Sequence, residues 1–301
     1  MEAAARRLFI FGIGYAGREI ARQAMAAGWR VAGTATSEAK VGELARSGIE
    51  AGLFTGGTFQ AASALRSASH VLSSIPPEAL GDPALQPCID CWRLQPERPA
   101  WLGYLSTTGV YGDTGGSWVD ETAAPKPGPP RSRYRLLAEQ GWRELAMARG
   151  IGVDIFRLPA IYGPHRSVLD QLRKGTARAI DKPGQVFSRI HVEDLARTVL
   201  AAMQRPAPPP GALYNVVDDE PASQPEVVAY AARLLGLPPP PIVRWEEAAP
   251  GMSEIARSFY AENRRVRNER IKRELDVKLA YPTFREGLRA IAAVGGRVTH
   301  A

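Results

Sequence analysis

The sequence predicts an α/β fold: a doubly wound parallel sheet with helices on both faces, followed by a smaller C-terminal subdomain. Three observations carry this. An apolar run, Leu8-Phe9-Ile10-Phe11, passes through a glycine turn, Gly12-Ile13-Gly14-Tyr15-Ala16-Gly17, into a segment with helical spacing. Strand, helix, strand, helix and strand then arrive within about sixty residues, the tempo of parallel strands joined by helical crossovers. Beyond Pro159 the rhythm changes to short strands and helices separated by proline runs.

Each element has a local reason. The first helix runs from about Tyr15 to Ala27, and Trp29 to Thr34 forms the second strand. Ser37 to Arg46 reads as a helix with Ser37 as its N-cap, and Gly48 to Phe54 as the third strand. Ala68 to Ile75 is the fourth strand, stopped by Pro76-Pro77, which cannot continue a ladder. Trp101 to Ser106 is the fifth. Gly and Pro fill Gly109 to Arg131, so that stretch reads as a long loop. A helix follows from Arg133 to Arg149, ended by Gly150, and Val153 to Leu158 is the sixth strand. Later helices are expected near Val192 to Gln204, Gln224 to Leu235 and Arg267 to Leu275, with a strand at Leu213 to Val217. Pro208-Pro209-Pro210 and Pro238 to Pro241 are stiff connectors. The expected division is 1–160 for the sheet domain and 161–301 for a smaller domain partly interleaved with it.

Composition narrows the class. The chain has 301 residues, a net charge of +7 and two cysteines. No apolar stretch is long enough for a bilayer, and Met1 to Arg7 lacks the apolar core of a secretory signal, so a cytoplasmic protein without a membrane partner is expected. Arg264, Arg265, Arg267, Arg270, Lys272 and Arg273 cluster late. Glu262, Glu269, Glu274 and Asp276 interleave them without an aromatic ladder, which favours a solvated helix face over nucleic-acid binding. A basic balance also suits a small anionic ligand. Cys88 and Cys91 stand as C-x-x-C after Pro87. A helix opening there would lower the Cys88 pKa, but without a second pair the favoured reading is two small apolar residues. His70, His165, His191 and His300 are too scattered for metal ligation, so no metal is expected.

The glycine turn carries the first chemical inference. Gly12 permits a tight turn, Gly14 lets backbone approach a diphosphate, and Gly17 lets the helix pack on the strand. The helix start, with Tyr15 and Ala16, offers unpaired N–H groups and a positive dipole. This is the fingerprint of a dinucleotide-binding, Rossmann-type domain. Ligands collect outside the carboxyl ends of such strands, which adds Ser74, Ile75 and Pro76 to the cofactor side. At the end of the second strand Thr34, Thr36 and Lys40 surround the place where an acidic residue would read an NAD ribose. Hydroxyls and a helix start there suit a 2′-phosphate, so NADP is favoured, with NAD the alternative that Glu38 supports.

With these residues placed, the sequence resembles the extended short-chain dehydrogenase/reductases, the NAD-dependent epimerase/dehydratases. The marks are Gly12-x-Gly14-x-x-Gly17, Ser106-Thr107-Thr108-Gly109-Val110-Tyr111-Gly112, Arg157-Leu158-Pro159-Ala160-Ile161-Tyr162-Gly163-Pro164, Ile190-His191-Val192-Glu193-Asp194-Leu195-Ala196 and Tyr214 to Pro221. They stand in the family's order across most of the chain. The resemblance implies that Thr107 binds a substrate oxygen, that Ser106 lies beside the cofactor, and that Pro159, Ala160 and Ile161 pack on the nicotinamide. His191 would support the fold or border the pocket.

The family's proton-donating tyrosine and the lysine four residues later are not where the pattern puts them. Aligned on Ala138-Glu139-Gln140, Arg131 takes the tyrosine position and Arg135 the lysine position. A guanidinium stays charged near neutral pH and cannot cycle a proton. Tyr134 offers a rival register, but Ala138 then replaces the lysine, which makes packing or ligand contact the better role for that phenol. Thr107, Arg135 and Tyr134 are the candidate catalytic residues. The resemblance implies an atypical NAD(P)-binding oxidoreductase or epimerase-like enzyme acting on a small molecule, and a homodimer is expected. The competing reading is a non-catalytic NADP sensor or scaffold. The loops after Gly109, Pro164 and Met252 would set the substrate.

Overall fold

Strand β1 (Arg7–Phe11) lies at the centre, and its alternating side chains serve two cores. The computed structural model describes residues 6–55, 58–93, 98–205 and 211–295; most of the Met1 lead, Pro208 to Pro210 and His300 lie outside them. Leu8 and Ile10 pack on one face with Ile20, Ala24, Leu195 and Val199, while Phe9 and Phe11 pack on the other with Leu65, Tyr104 and Trp142. A strand covered on both faces reads as a continuous apolar run, and the sequence shows one.

The first half follows the expected order. After β1 come α1 (Tyr15–Ala26), β2 (Arg30–Ala35), α2 (Glu38–Arg46) and β3 (Glu50–Thr55). Strand β4 (Thr58–Phe59) and helix α3 (Ala62–Arg66), too short for a periodic signal, fall where the sequence showed no element. Then come β5 (His70–Ser73), α4 (Leu85–Trp92), β6 (Trp101–Thr107), β7 (Trp118–Val119), α5 (Pro130–Arg149) and β8 (Gly152–Leu158).

Two boundaries need correction. Helix α5 starts at Pro130, three residues before the expected Arg133, because proline suits the first helical position, where its missing N–H costs nothing. Arg131 therefore belongs to the helix. The expected loop from Gly109 to Arg131 begins in a 3₁₀ turn (Thr108–Tyr111) and contains β7. Gly150 ends α5 as expected, in the left-handed conformation at φ 60°.

The remainder comprises β9 (Ala160–Tyr162), α6 (Val168–Arg173), β10 (Ala179–Asp181), β11 (Arg189–His191), α7 (Val192–Met203), β12 (Ala212–Asn215), α8 (Gln224–Leu234), β13 (Ile242–Arg244), α9 (Trp245–Ala248), α10 (Glu254–Tyr260), β14 (Arg265–Val266), α11 (Glu269–Glu274) and α12 (Phe284–Gly295). The large sheet runs β12-β8-β6-β5-β1-β2-β3-β4, with β4 alone antiparallel. Residues beyond 160 thus return to the first half: β12 extends the sheet beside β8, and α7 packs on α1. The small pairs β9 with β11 and β7 with β14 bring distant loops together over the carboxyl ends of the main strands.

Strand order reverses between β1 and β5, since the chain first builds outward through β2 and β3 and then returns to β1's other side. Such a reversal opens a crevice at the carboxyl ends of the two strands, and Gly12 and Ser74 are the residues that leave them.

Candidate functional site at the carboxyl end of the sheet

A cleft of about 690 Å³ opens at this reversal. A smaller one, about 310 Å³, lies at the amino ends of β1 and β2 beside Arg7 and Arg30, away from every motif that points to chemistry. The glycine turn forms the floor of the larger cleft. Gly12 has φ 77°, and its amide donates to the Thr34 hydroxyl at 2.9 Å. The Ser74 hydroxyl donates to the Gly12 carbonyl at 2.9 Å. Thr34 is buried and holds the turn from below, whereas Thr36 and Lys40 are exposed beyond it.

Gly14 caps α1 without a side chain, and a Cβ built on it would meet nothing within 4 Å, because it would project into the cleft. A Cβ at Gly17 would stand 3.0 Å from the Gly12 carbonyl, so that glycine serves helix packing. Open backbone, an uncapped helix start and a positive dipole fit a dinucleotide diphosphate.

The ends of β6 and α5 form one wall. Ser106 is buried, and its hydroxyl donates to Glu139 at 2.6 Å. Glu139 also receives Arg157 through two bonds of 3.0 and 2.8 Å. The Ser106 side chain therefore secures the helix to the sheet. Thr107 lines the cleft, and its oxygen accepts the Gly109 amide at 3.1 Å.

Arg131 and Arg135 both reach the cleft, as residues one helical turn apart do, and half-buried Tyr134 is not among the lining residues. Arg135 Nη1 donates to the carbonyls of Leu105 (2.8 Å) and Ile75 (3.2 Å) and contacts the Tyr104 hydroxyl at 3.1 Å. Its guanidinium ties the end of β6 to the segment leaving β5. Arg131 is exposed, with its guanidinium 4.2 Å from the centroid of the Phe259 ring.

The other walls come from later in the chain. Pro159, Ala160 and Ile161 line the cleft directly after β8. Arg166 lies over the Tyr15 ring at 5.3 Å. Tyr15 donates to the Pro164 carbonyl at 3.0 Å, and burial pushes its pKa up to about 12, partly opposed by Arg166. Ser188 joins the lining, and its buried hydroxyl has no partner among the described residues. Phe259, Glu262 and Arg264 complete it, with Arg264 donating to Glu262 at 2.8 Å. The expected loops after Pro164 and Met252 do contribute. Their individual residues escaped sequence reasoning because nothing local ties Phe259 to Arg131.

The remaining candidates lie elsewhere. His191 is buried, caps α7 by accepting the Glu193 amide at 3.3 Å, and is kept neutral by burial, which lowers its pKa. His165 is exposed with φ 61°. No cluster of metal-ligating groups occurs among the described residues, and no helix there is long and apolar enough to cross a membrane. Cys88 is fully buried, and burial raises both its pKa and that of Cys91, the opposite of an activated thiol. In the late basic cluster Arg264, Arg267, Arg270, Lys272 and Arg273 each pair with a carboxylate.

Comparison with known proteins agrees with this geometry. Residues 91–216 match the profile of the NAD dependent epimerase/dehydratase family. The chain is 29% identical to Protein YeeZ of Escherichia coli (strain K12) over 249 residues, which covers 78% of this chain and 86% of YeeZ. It is 44% identical to a conserved protein of unknown function from Silicibacter pomeroyi DSS, with TM-score 0.86 and coverage of 97% and 99%. The UDP-glucuronic acid 4-epimerase from Bacillus cereus, solved in complex with NAD, shares the fold at 15% identity, TM-score 0.76 and coverage of 97% and 99%.

Proposed function

On the match of residues 91–216 to the NAD dependent epimerase/dehydratase family, we propose that the chain is a member of it, binds NADP, with NAD as the alternative, and acts as an oxidoreductase or epimerase/dehydratase on a small molecule. One observation carries this reading. The open glycine turn, Thr107 and Pro159 to Ile161 face the same cleft, so a dinucleotide seated on the turn shares its space with a substrate. Gly12, Gly14 and the α1 start would hold the diphosphate. Exposed Thr36 and Lys40 would meet a 2′-phosphate, with Ser37 capping α2 behind them. A bound nicotinamide would supply hydride exchange.

Thr107 would orient a carbonyl or hydroxyl. Arg131 and Arg135 supply charge and hydrogen bonds but stay protonated near neutral pH, so the proton would come from another donor or from water. Two unpaired thiols accord with a cytoplasmic setting.

Calorimetric titration with NADP⁺, NADPH, NAD⁺ and NADH tests the first half. Absence of heat with all four would overturn it. Oxidation of the bound reduced nucleotide across carbonyl compounds and nucleotide sugars tests the second. The replacement of the family's tyrosine and lysine positions by Arg131 and Arg135 favours a second reading, a nucleotide sensor without turnover. That reading predicts binding indifferent to Thr107→Ala and a nucleotide-dependent change in association with a partner.

A further inference from the structure

We propose that Arg131, held against Phe259, binds an oxyanion carried by the substrate, a carboxylate or a phosphate. This rests on the reading of the cleft as a nucleotide and substrate site, and it names the substrate's chemical class.

The charges in the cleft are not equivalent. Four arginines line it, Arg131, Arg135, Arg166 and Arg264, against a single carboxylate, Glu262. Arg264 is neutralised by Glu262 and also donates to the Gly112 carbonyl at 2.8 Å. Arg135 is committed to two backbone carbonyls and a phenol. Arg166 lies over Tyr15, the first residue of α1, on the glycine-turn side. That leaves Arg131. Among the described residues no carboxylate lies within ion-pair distance of it, and its guanidinium rests on the face of Phe259, 4.2 Å from the ring centroid.

A ring face orients a guanidinium without using its N–H donors, so the planar fork remains free for bidentate recognition of an oxyanion. Phe259 is 55% exposed, so its ring holds the guanidinium at the cleft while leaving the site open to solvent and to a ligand. Arg131 stands one helical turn before Arg135 on the same face of α5, and Thr107 lines the same cleft. An anion held by Arg131 would share the cleft with a group hydrogen-bonded to Thr107. Ser188, with its unpartnered hydroxyl, adds a polar group to the lining.

The test uses the full chain saturated with NADP⁺, so that the glycine turn is already filled. Inorganic phosphate and malonate are then titrated calorimetrically as separate probes, and the tighter one identifies the kind of oxyanion. At least one should bind wild type, Arg131→Gln should weaken it by at least about tenfold, and Phe259→Ala should weaken it several-fold. Arg133→Gln, two residues from Arg131 and so on the opposite side of α5 from the cleft lining, should leave it unchanged, and thermal melts of all variants confirm that each is folded. Equal probe binding by wild type and Arg131→Gln, or no probe binding by wild type, overturns the proposal. If NADP⁺ binds throughout and probe affinity ignores Arg131, this inference fails alone. If no nucleotide binds while probe affinity still depends on Arg131, the cofactor reading fails and the oxyanion site stands.

Discussion

Gly12 and Ile75 approach so closely that a Cβ at Gly12 would lie 2.4 Å from Ile75 Cγ2, and the Gly12 backbone is already at φ 77°. Gly12→Ala therefore incurs both left-handed strain, about 1–2 kcal/mol, and a collision with the segment leaving β5. Gly14 is different. Its φ of −90° suits any residue, and a Cβ there meets only the open cleft. Gly12→Ala is expected to lower thermal stability and nucleotide affinity together, whereas Gly14→Ala should reduce nucleotide affinity with stability within about 0.5 kcal/mol of wild type. Paired melts and titrations separate the two, and equal behaviour would contradict the roles given to these glycines.

Glu139 holds three partners in the interior: the Ser106 hydroxyl, the fork of Arg157 and, at 3.5 Å, Arg143. Its side chain is fully buried and that of Arg157 nearly so. Glu139→Gln keeps the shape and removes the charge, which leaves Arg157 buried without its counter-ion. Breaking one partner of a buried pair costs about 3–5 kcal/mol. Urea unfolding should show a loss of that order, and a loss below about 1 kcal/mol would mean that water reaches the pair.

These two sites show what the sequence could and could not disclose. The glycine turn is local: strand, glycines and helix lie within a dozen or so consecutive residues, and their geometry follows from side-chain absence. Glu139 was visible only as part of Ala138-Glu139-Gln140. Its link to Ser106 and Arg157 depends on how α5 lies across the sheet, so the sequence does not disclose that the Ser106 hydroxyl bonds Glu139 while the residue itself lines the cleft. The short strands β7 and β14 have no periodicity to detect, since each exists only because the other lies beside it. Phe259 likewise gained meaning only when α10 brought it to Arg131.

His70 lies edge-on to Trp29, with ring centroids 4.6 Å apart, and near Trp101, with Nε2 3.2 Å from the Met203 carbonyl. Burial pushes its pKa down from 6.5 to about 4. The unfolded chain therefore binds a proton that the native state refuses. The stabilisation is complete above about pH 6.5 and is lost as pH falls toward about 4, by up to about 3 kcal/mol. His191 shifts in the same direction. His70→Gln retains a donor for Met203 without the titration, so its urea midpoint should fall less steeply between pH 6.5 and 4.5 than that of wild type. Parallel pH profiles would exclude His70 as the source.

Arg135, expected from the sequence at the family's lysine position, has contacts that assign it a structural task. A single nitrogen reaches the Ile75 and Leu105 carbonyls, which belong to the segments at the carboxyl ends of β5 and β6, and those ends border the cleft. Arg135→Met leaves both carbonyls without this donor and removes a charge that lies 5.8 Å from the Tyr104 ring. The expected loss is about 1–3 kcal/mol, accompanied by weaker nucleotide binding as the two strand ends separate. Arg135→Lys supplies a compact ammonium on a flexible stem, which can satisfy the carbonyls only by ordering that stem, so recovery should be partial. Urea midpoints in the order wild type, Lys, Met support the bridging role. A methionine variant as stable as wild type would reduce Arg135 to a cation at the cleft, with no part in setting the cleft's shape.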